Sequence, residues 1–271
     1  MTILVTGATG KVGRHVVHEL LRAGHSVRAL SRYPASAKLP AGVEVVAGDL
    51  SNPDTLIPAL EGVTGLHLIT TGAGYVPLTT GEEIIRIAEA AGVRRVSILW
   101  DGKKGTVEEA VESSHLEWTQ LQPVDYMSNV MNWRESIRTE GVVRDLFGAS
   151  LNASIHEQDI GRVAAAVLSE DVHAGQMYTL TGPEALTVPD KVQVLSRFIG
   201  KDIKFIQLTE EQERKRMAEL GVDEGVIDYV INWYKNPPIE AYTVNQKVEQ
   251  ITGRPARTFA EWAEEHARYF K

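Results

Sequence analysis

Residues 3 to 13 read Ile-Leu-Val-Thr-Gly-Ala-Thr-Gly-Lys-Val-Gly, a short apolar strand running straight into a glycine-rich turn and a helix. No other stretch limits the fold as tightly. Gly7 lets the backbone turn sharply off the strand, and Gly10 leaves room for a diphosphate where a Cβ would stand. Gly13 lets the new helix pack close on the sheet. A helix beginning near Lys11 and Val12 offers free N–H groups and the positive end of its dipole to the phosphates, with Thr9 in the turn before it. Val12, Val16, Val17, Leu20 and Leu21 give that helix an apolar face, so the turn has both the strand before and the helix after that it requires. The segment predicts a dinucleotide cradle.

Strand-like and amphipathic helical runs alternate through the first half, the pattern of a parallel sheet with helices on both faces. Strands are expected at residues 2–6, 26–31, 43–47, 65–70, 94–99 and 117–122, and helices at 11–23, 53–60, 80–91 and 105–114. After about residue 123 the pattern changes. A helix capped by Asp159 is expected over 157–168, a strand over 175–181 and a helix over 188–199. A charged helical stretch runs from Thr209 to Tyr234, and the Asn236-Pro237-Pro238 breaker separates it from helices at 243–252 and 258–270. The predicted fold is α/β, a Rossmann-like doubly wound parallel sheet with a small, mostly helical C-terminal lobe. Residues 1–150 form the nucleotide domain, with 157–182 returning to it, and 183–271 form a partly interleaved substrate-cleft lobe.

The net charge of −8 argues against a general polyanion binder, and no basic run suggests nucleic acid or an acidic membrane. The absence of cysteine removes disulfides, thiolate metal sites and a cysteine nucleophile. The chain opens directly in a core strand and has no bilayer-length apolar run, so the expected location is cytoplasmic. His15 and His18 lack a third ligand, and neither Gly-x-Ser-x-Gly nor a Ser/His/Asp set is visible. No metal site and no hydrolase are expected.

The second strand ends Leu30-Ser31-Arg32. An NAD site usually places an acid here for the ribose hydroxyls, whereas an arginine suits the 2′-phosphate of NADP. Ser31 and Arg32 therefore point to NADP, with NAD possible and with Arg14 and Lys38 as helpers. Gly48-Asp49-Leu50 follows the third strand, where Asp49 either accepts from the adenine amino group or caps the turn into the helix near Pro53. Thr70-Thr71-Gly72 ends the fourth strand over the ribose and phosphate path.

Together these residues resemble the NmrA-like branch of the atypical short-chain dehydrogenase/reductase family. Gly7-Ala-Thr-Gly-Lys-Val-Gly13 is similar to its Gly-x-x-Gly-x-x-Gly motif, and Gly48-Asp49 to its adenine-side pair. Further likenesses lie in Trp118-Thr-Gln-Leu-Gln-Pro123, Asp159-Ile-Gly-Arg-Val-Ala-Ala165, Tyr178-Thr-Leu-Thr-Gly-Pro183 and Ile251-Thr-Gly-Arg-Pro-Ala-Arg-Thr-Phe259. The resemblance implies an NAD(P)-binding Rossmann domain with a small lobe. Members reduce quinones and dyes, tailor aromatic natural products, or sense NADP without turning it over. It also implies that Gln122 and Pro123 lie near the nicotinamide, with Tyr126, Met127 and Asn129 facing the cleft; the alternative for Tyr126 and Met127 is that they simply fill the seam between the lobes.

No Tyr-x-x-x-Lys occurs anywhere in the chain, so alcohol oxidation by a lysine-activated tyrosine is not expected. Past the fifth strand, where relatives commonly carry a longer serine-bearing loop, the chain reads Leu99-Trp100-Asp101-Gly-Lys103-Lys104-Gly. Asp101, Lys103 and Lys104 are the charged candidates there, and Tyr126, after the sixth strand, is a further catalytic candidate; the alternative for the loop is a solvated Asp-Gly-Lys turn. Hydride transfer to a flat, electron-poor acceptor needs mainly proximity and orientation. The expectation is an NADPH-dependent oxidoreductase taking a quinone-like or polycyclic aromatic small molecule, with Trp100, Tyr126, Met127, Trp133 and Tyr75 supplying apolar surface. A non-catalytic NADP(H) sensor and a hydroxylase-like tailoring enzyme are the alternatives.

Overall fold

The computed structural model describes all of residues 1–271. Nine strands follow in chain order: β1 (Thr2–Val5), β2 (Ser26–Ser31), β3 (Glu44–Ala47), β4 (Gly65–Ile69), β5 (Arg95–Leu99), β6 (Glu117–Pro123), β7 (Val142–Asp145), β8 (Gln176–Leu180) and β9 (Lys204–Gln207). Seven of them form one parallel sheet in the order β3-β2-β1-β4-β5-β6-β8. The chain builds from β1 out to β2 and β3, then crosses back to place β4 on the other side of β1. A doubly wound sheet opens a crevice at this switch point, beyond the carboxyl ends of its strands. The register sets Val5 beside both Ala29 and His67, and Ala29 beside Val45, so β2, β3 and β4 each run two residues past the end of β1 and end at a common level.

The chain forms two compact units. The first comprises Met1–Pro123, Glu157–Leu180 and Lys247–Arg254. Its helices pack in pairs, Gly13–Arg22 against Glu157–Ser169 and Gly81–Ala90 against Thr106–Glu112. The first pair approaches closely because Gly161 has no side chain: a Cβ there would stand 2.7 Å from the His15 carbonyl carbon. Asp159 is not the cap of its helix, which begins at Glu157. It lies buried in the first turn, where it accepts from Arg162 Nη1 at 2.8 Å.

The second unit comprises Val124–His156, Thr181–Gln246 and Pro255–Lys271. The segment from Val124 to residue 150, expected in the nucleotide domain, therefore groups with this unit, and the returning segment ends at Leu180. No Gly- or Pro-rich linker marks these crossings in the sequence. Its core gathers Ile137, Val143, Leu195, Phe259, Trp262 and Phe270. A two-stranded parallel sheet of β7 and β9 lies here, unforeseen because each strand has four residues and no sustained alternation. The charged stretch is two helices, Glu210–Glu219 and Glu224–Lys235, parted around Gly221 at φ 77°.

One buried group in the first unit carries a pH dependence. His67 on β4 is fully buried, with Nδ1 2.7 Å from Ser97 Oγ, and burial pushes its pKa down to about 4. The unfolded ring takes up a proton below about pH 6.5, while the folded ring stays neutral until about pH 4. Its contribution is intact above pH 6.5 and is lost as the pH falls toward 4. Between pH 7 and 5 that loss is about 2 kcal/mol. Urea denaturation at both pH values should show His67→Leu losing less stability on acidification than the parent by that amount; equal losses would remove His67 as the source.

Candidate functional site

A cavity of about 480 Å³ opens at the switch point, lined wholly by residues of the first unit. Thr6, Gly7 and Thr9 reach it from the turn after β1, and Ser31 and Arg32 from the end of β2. Gly48, Asp49 and Leu50 follow β3, and Ile69, Thr71 and Gly72 follow or close β4. Nine of the cofactor positions read from the sequence thus meet on one surface.

The β1 turn is packed backbone on backbone. Gly7 sits at φ 59°, and the Gly10 amide donates to the Gly7 carbonyl at 2.8 Å. A Cβ would stand 2.9 Å from that oxygen on Gly10 and 2.2 Å from it on Gly13. Both glycines therefore serve the turn's own closure, where the sequence reading gave one to the ligand and the other to the sheet. The helix begins at Gly13 rather than at Lys11, with Val12 in the N-cap position. It has no side-chain cap hydrogen bond and no acid in its own first turn.

Thr6 went unnoticed in the sequence. Its Oγ1 donates to the His67 carbonyl at 3.0 Å and accepts from the Ile69 amide at 2.9 Å, tying β1 to β4 at the lip of the crevice. A hydroxyl at the strand end, one residue before the turn glycine, was the available signal.

Three cations, Arg14, Arg32 and Lys38, line the cavity against one acid, Asp49. In a chain of net charge −8 this is a local reversal of sign. Arg14 Nε is held by the Gly10 carbonyl at 2.9 Å, and Ser31 Oγ accepts from the Tyr33 amide at 3.1 Å. Asp49 Oδ1 accepts from the Ser51 amide at 2.9 Å while the residue lines the cavity, so it caps the turn and faces the crevice together. Thr70 Oγ1 is buried without a protein partner, between the lining residues Ile69 and Thr71.

The other positions lie elsewhere. Gln122 and Pro123 close β6; Gln122 Oε1 accepts from Thr179 Oγ1 at 3.5 Å, which turns its amide along β8. Asp101 and Lys103 form an exposed turn in which the Lys103 amide donates to Asp101 Oδ1 at 3.3 Å. The sequence reading missed Glu108, which is buried beside this turn and accepts from the Gly105 amide at 3.0 Å through Oε2. Burial, and then the charges of Asp101 and Glu112, raise its pKa. Tyr126 belongs to the second unit, where its backbone bridges Ile155. Met127 is buried in that unit's core with Val130.

Sheet order, glycine turn and cation-lined crevice define a Rossmann protein of the NAD(P)H-binding class, and a dinucleotide fits the residues present. The glycines keep Cβ atoms out of the turn, and the cations match phosphates. Residues 7–100 match the NAD(P)H-binding family. The chain is 35% identical to the (4-alkanoyl-5-oxo-2,5-dihydrofuran-3-yl)methyl phosphate reductase of Streptomyces griseus, covering 99% of each chain. It is 33% identical to the NAD(P)H azoreductase of Xenophilus azovorans, again over 99% of each. The crystal structure of an NADPH-dependent quinone oxidoreductase from Escherichia coli is similar with a TM-score of 0.79 at 25% identity, covering 97% of this chain and 98% of that one. The chain belongs to the NmrA-like, atypical short-chain dehydrogenase/reductase group of NAD(P)H-binding proteins. No helix is long and apolar enough to cross a membrane.

Proposed function

We propose that the protein is an NADPH-dependent reductase of small, flat, electron-poor acceptors such as quinones. The observation that carries this reading is its full-length likeness to an NAD(P)H azoreductase and a second reductase. The choice of NADPH rests on Arg32, Lys38 and Arg14 lining one crevice with no acid at the end of β2.

In this reading the turn from Gly7 to Gly13 holds the diphosphate, with Lys11 and Val12 at the helix start. Arg32 and Lys38 hold the 2′-phosphate beside Ser31. The second oxygen of Asp49 accepts from the adenine amino group, and Thr70 and Thr71 serve the ribose. Gln122 and Pro123 border the nicotinamide side. The bound cofactor supplies a hydride. The chain contributes orientation, because it has no Tyr-x-x-x-Lys pair and because Asp101 and Lys103 stand in a solvated turn. An acceptor whose reduced anion is stable tolerates that sparse inventory.

Single-turnover fluorescence with protein in excess over NADPH tests the reading. Nicotinamide emission should rise on mixing and then disappear when a quinone is added. Enhancement with no loss across a quinone panel would favour a cofactor sensor instead. Arg32→Ala should raise the Kd for NADPH about 10- to 100-fold, the worth of a charge-assisted phosphate contact, and leave NADH within about twofold. Equal losses for both would remove the basis for NADPH.

A further inference from the structure

The second unit contains a cavity of about 650 Å³ that the reductase reading does not use. All of its lining residues belong to that unit. Phe147 and Tyr234 form one wall, their rings stacked with centroids 4.7 Å apart and planes 25° from parallel. Leu146, Leu151 and Pro237 extend the apolar surface. The charged lining residues are Glu210 and Lys235, and they pair with each other at 2.8 Å. A charged ligand would meet no unmatched countercharge, whereas an aromatic face meets rings and aliphatic carbon.

The ring wall is fixed from behind. The Tyr234 hydroxyl donates to Asp125 Oδ1 at 3.4 Å, and the charge of Asp125 together with burial holds its pKa well above the ordinary phenol range. Asp125 also accepts from Asn129 Nδ2 at 2.6 Å and, through Oδ2, from Ser154 Oγ at 2.7 Å. Ser154 Oγ accepts in turn from the buried Lys191 Nζ at 2.6 Å. On its other side, the Tyr234 carbonyl accepts from Ser150 Oγ at 3.0 Å. A wall held this way is preformed, so ligand entry costs little ordering.

We propose that this cavity is a binding site for a flat, uncharged, fused-ring aromatic molecule stacked on the Tyr234–Phe147 wall. The volume falls within the range of small-molecule sites, roughly 300–1,000 Å³. This goes beyond the reductase reading, since binding here requires neither NADPH nor turnover.

The test is equilibrium dialysis with 2-methyl-1,4-naphthoquinone in the absence of NADPH. Saturable binding is expected, and Ala149→Trp and Leu151→Trp, which fill the cavity from exposed lining positions, should each weaken it at least about tenfold. Circular dichroism confirms that both variants fold, and their NADPH affinity should stay within about twofold of the parent. The anionic 1,4-naphthoquinone-2-sulfonate should bind at least about tenfold more weakly than the neutral quinone. No saturable binding below about 1 mM, unchanged binding in both folded variants, or equal binding of the sulfonate would each overturn the proposal. If the neutral quinone binds here but NADPH is never oxidised, the reductase reading falls and this site stands.

Discussion

Gly13→Ala is expected to cost about 4 kcal/mol or more of stability and to weaken NADPH binding at least about a hundredfold. Glycine to alanine inside a helix ordinarily stabilises by roughly 0.5–1 kcal/mol, so the sign itself is diagnostic. The new methyl would stand 2.2 Å from the Gly7 oxygen, 2.7 Å from the Gly7 carbonyl carbon and 2.9 Å from the Ala8 Cα. All three are backbone atoms, so no flexible side chain can swing aside. Either the helix start moves off the turn or the turn opens, and both deform the crevice that Gly7 and Thr9 line. Gly24→Ala is the control. Gly24 has φ 81° and nothing within 4 Å of a built Cβ, so only the left-handed backbone is penalised, by roughly 1–2 kcal/mol. Urea denaturation and NADPH titration of both variants check the contrast; a Gly13→Ala protein within about 1 kcal/mol of the parent would refute the close-packed turn.

The contrast also shows what the sequence could reveal. The glycine spacing identified the turn, because strand, turn and helix are contiguous and each leaves a local signal. The parallel strands β1, β4 and β5 were legible for a related reason: buried on both faces, they read as short, largely apolar segments between helical ones, with only His67 and Ser97 breaking the centres of β4 and β5. Gly13 was recognised, but its partner was not, since a 2.2 Å approach to the Gly7 oxygen is fixed only when the turn closes. Asp49 looked like a choice between cap and ligand contact, yet a carboxylate has two oxygens and the Ser51 amide occupies one. Thr6 and Glu108 escaped because their partners are chosen by the fold: Thr6 joins β4 across 61 residues, and Glu108 is isolated from solvent by packing. The crossings after Pro123 and Leu180 escaped too, because the breakers beside them, Pro123 and Gly182-Pro183, read equally well as ordinary turns within one core.

Asp125→Ala should cost about 3–5 kcal/mol, the second large effect, and it falls on a residue with no local signal at all. Asp125 stands in the loop between Val124 and Tyr126, and Lys191 lies 66 positions later on the helix Val188–Ile199, with Nζ 3.8 Å from Asp125 Oδ2. Removing the carboxylate leaves Lys191 buried beside the Ser154 hydroxyl and takes the acceptor from Asn129 and Tyr234. Burial already lowers the pKa of Lys191, and Asp125 opposes that shift. Without Asp125 the amine should titrate lower still. A lysine whose folded pKa lies below its unfolded value of about 10.4 destabilises the fold as pH falls through that window, so the deficit should shrink between pH 7 and pH 9.5. The parent should change less over the same range. Lys191→Met alone strands Asp125, whereas the double variant removes both charges and puts an apolar chain in the lysine's place, which recovers much of the loss. Strictly additive losses in this cycle, with no pH dependence in Asp125→Ala, would mean that the carboxylate and the amine do not act as a pair.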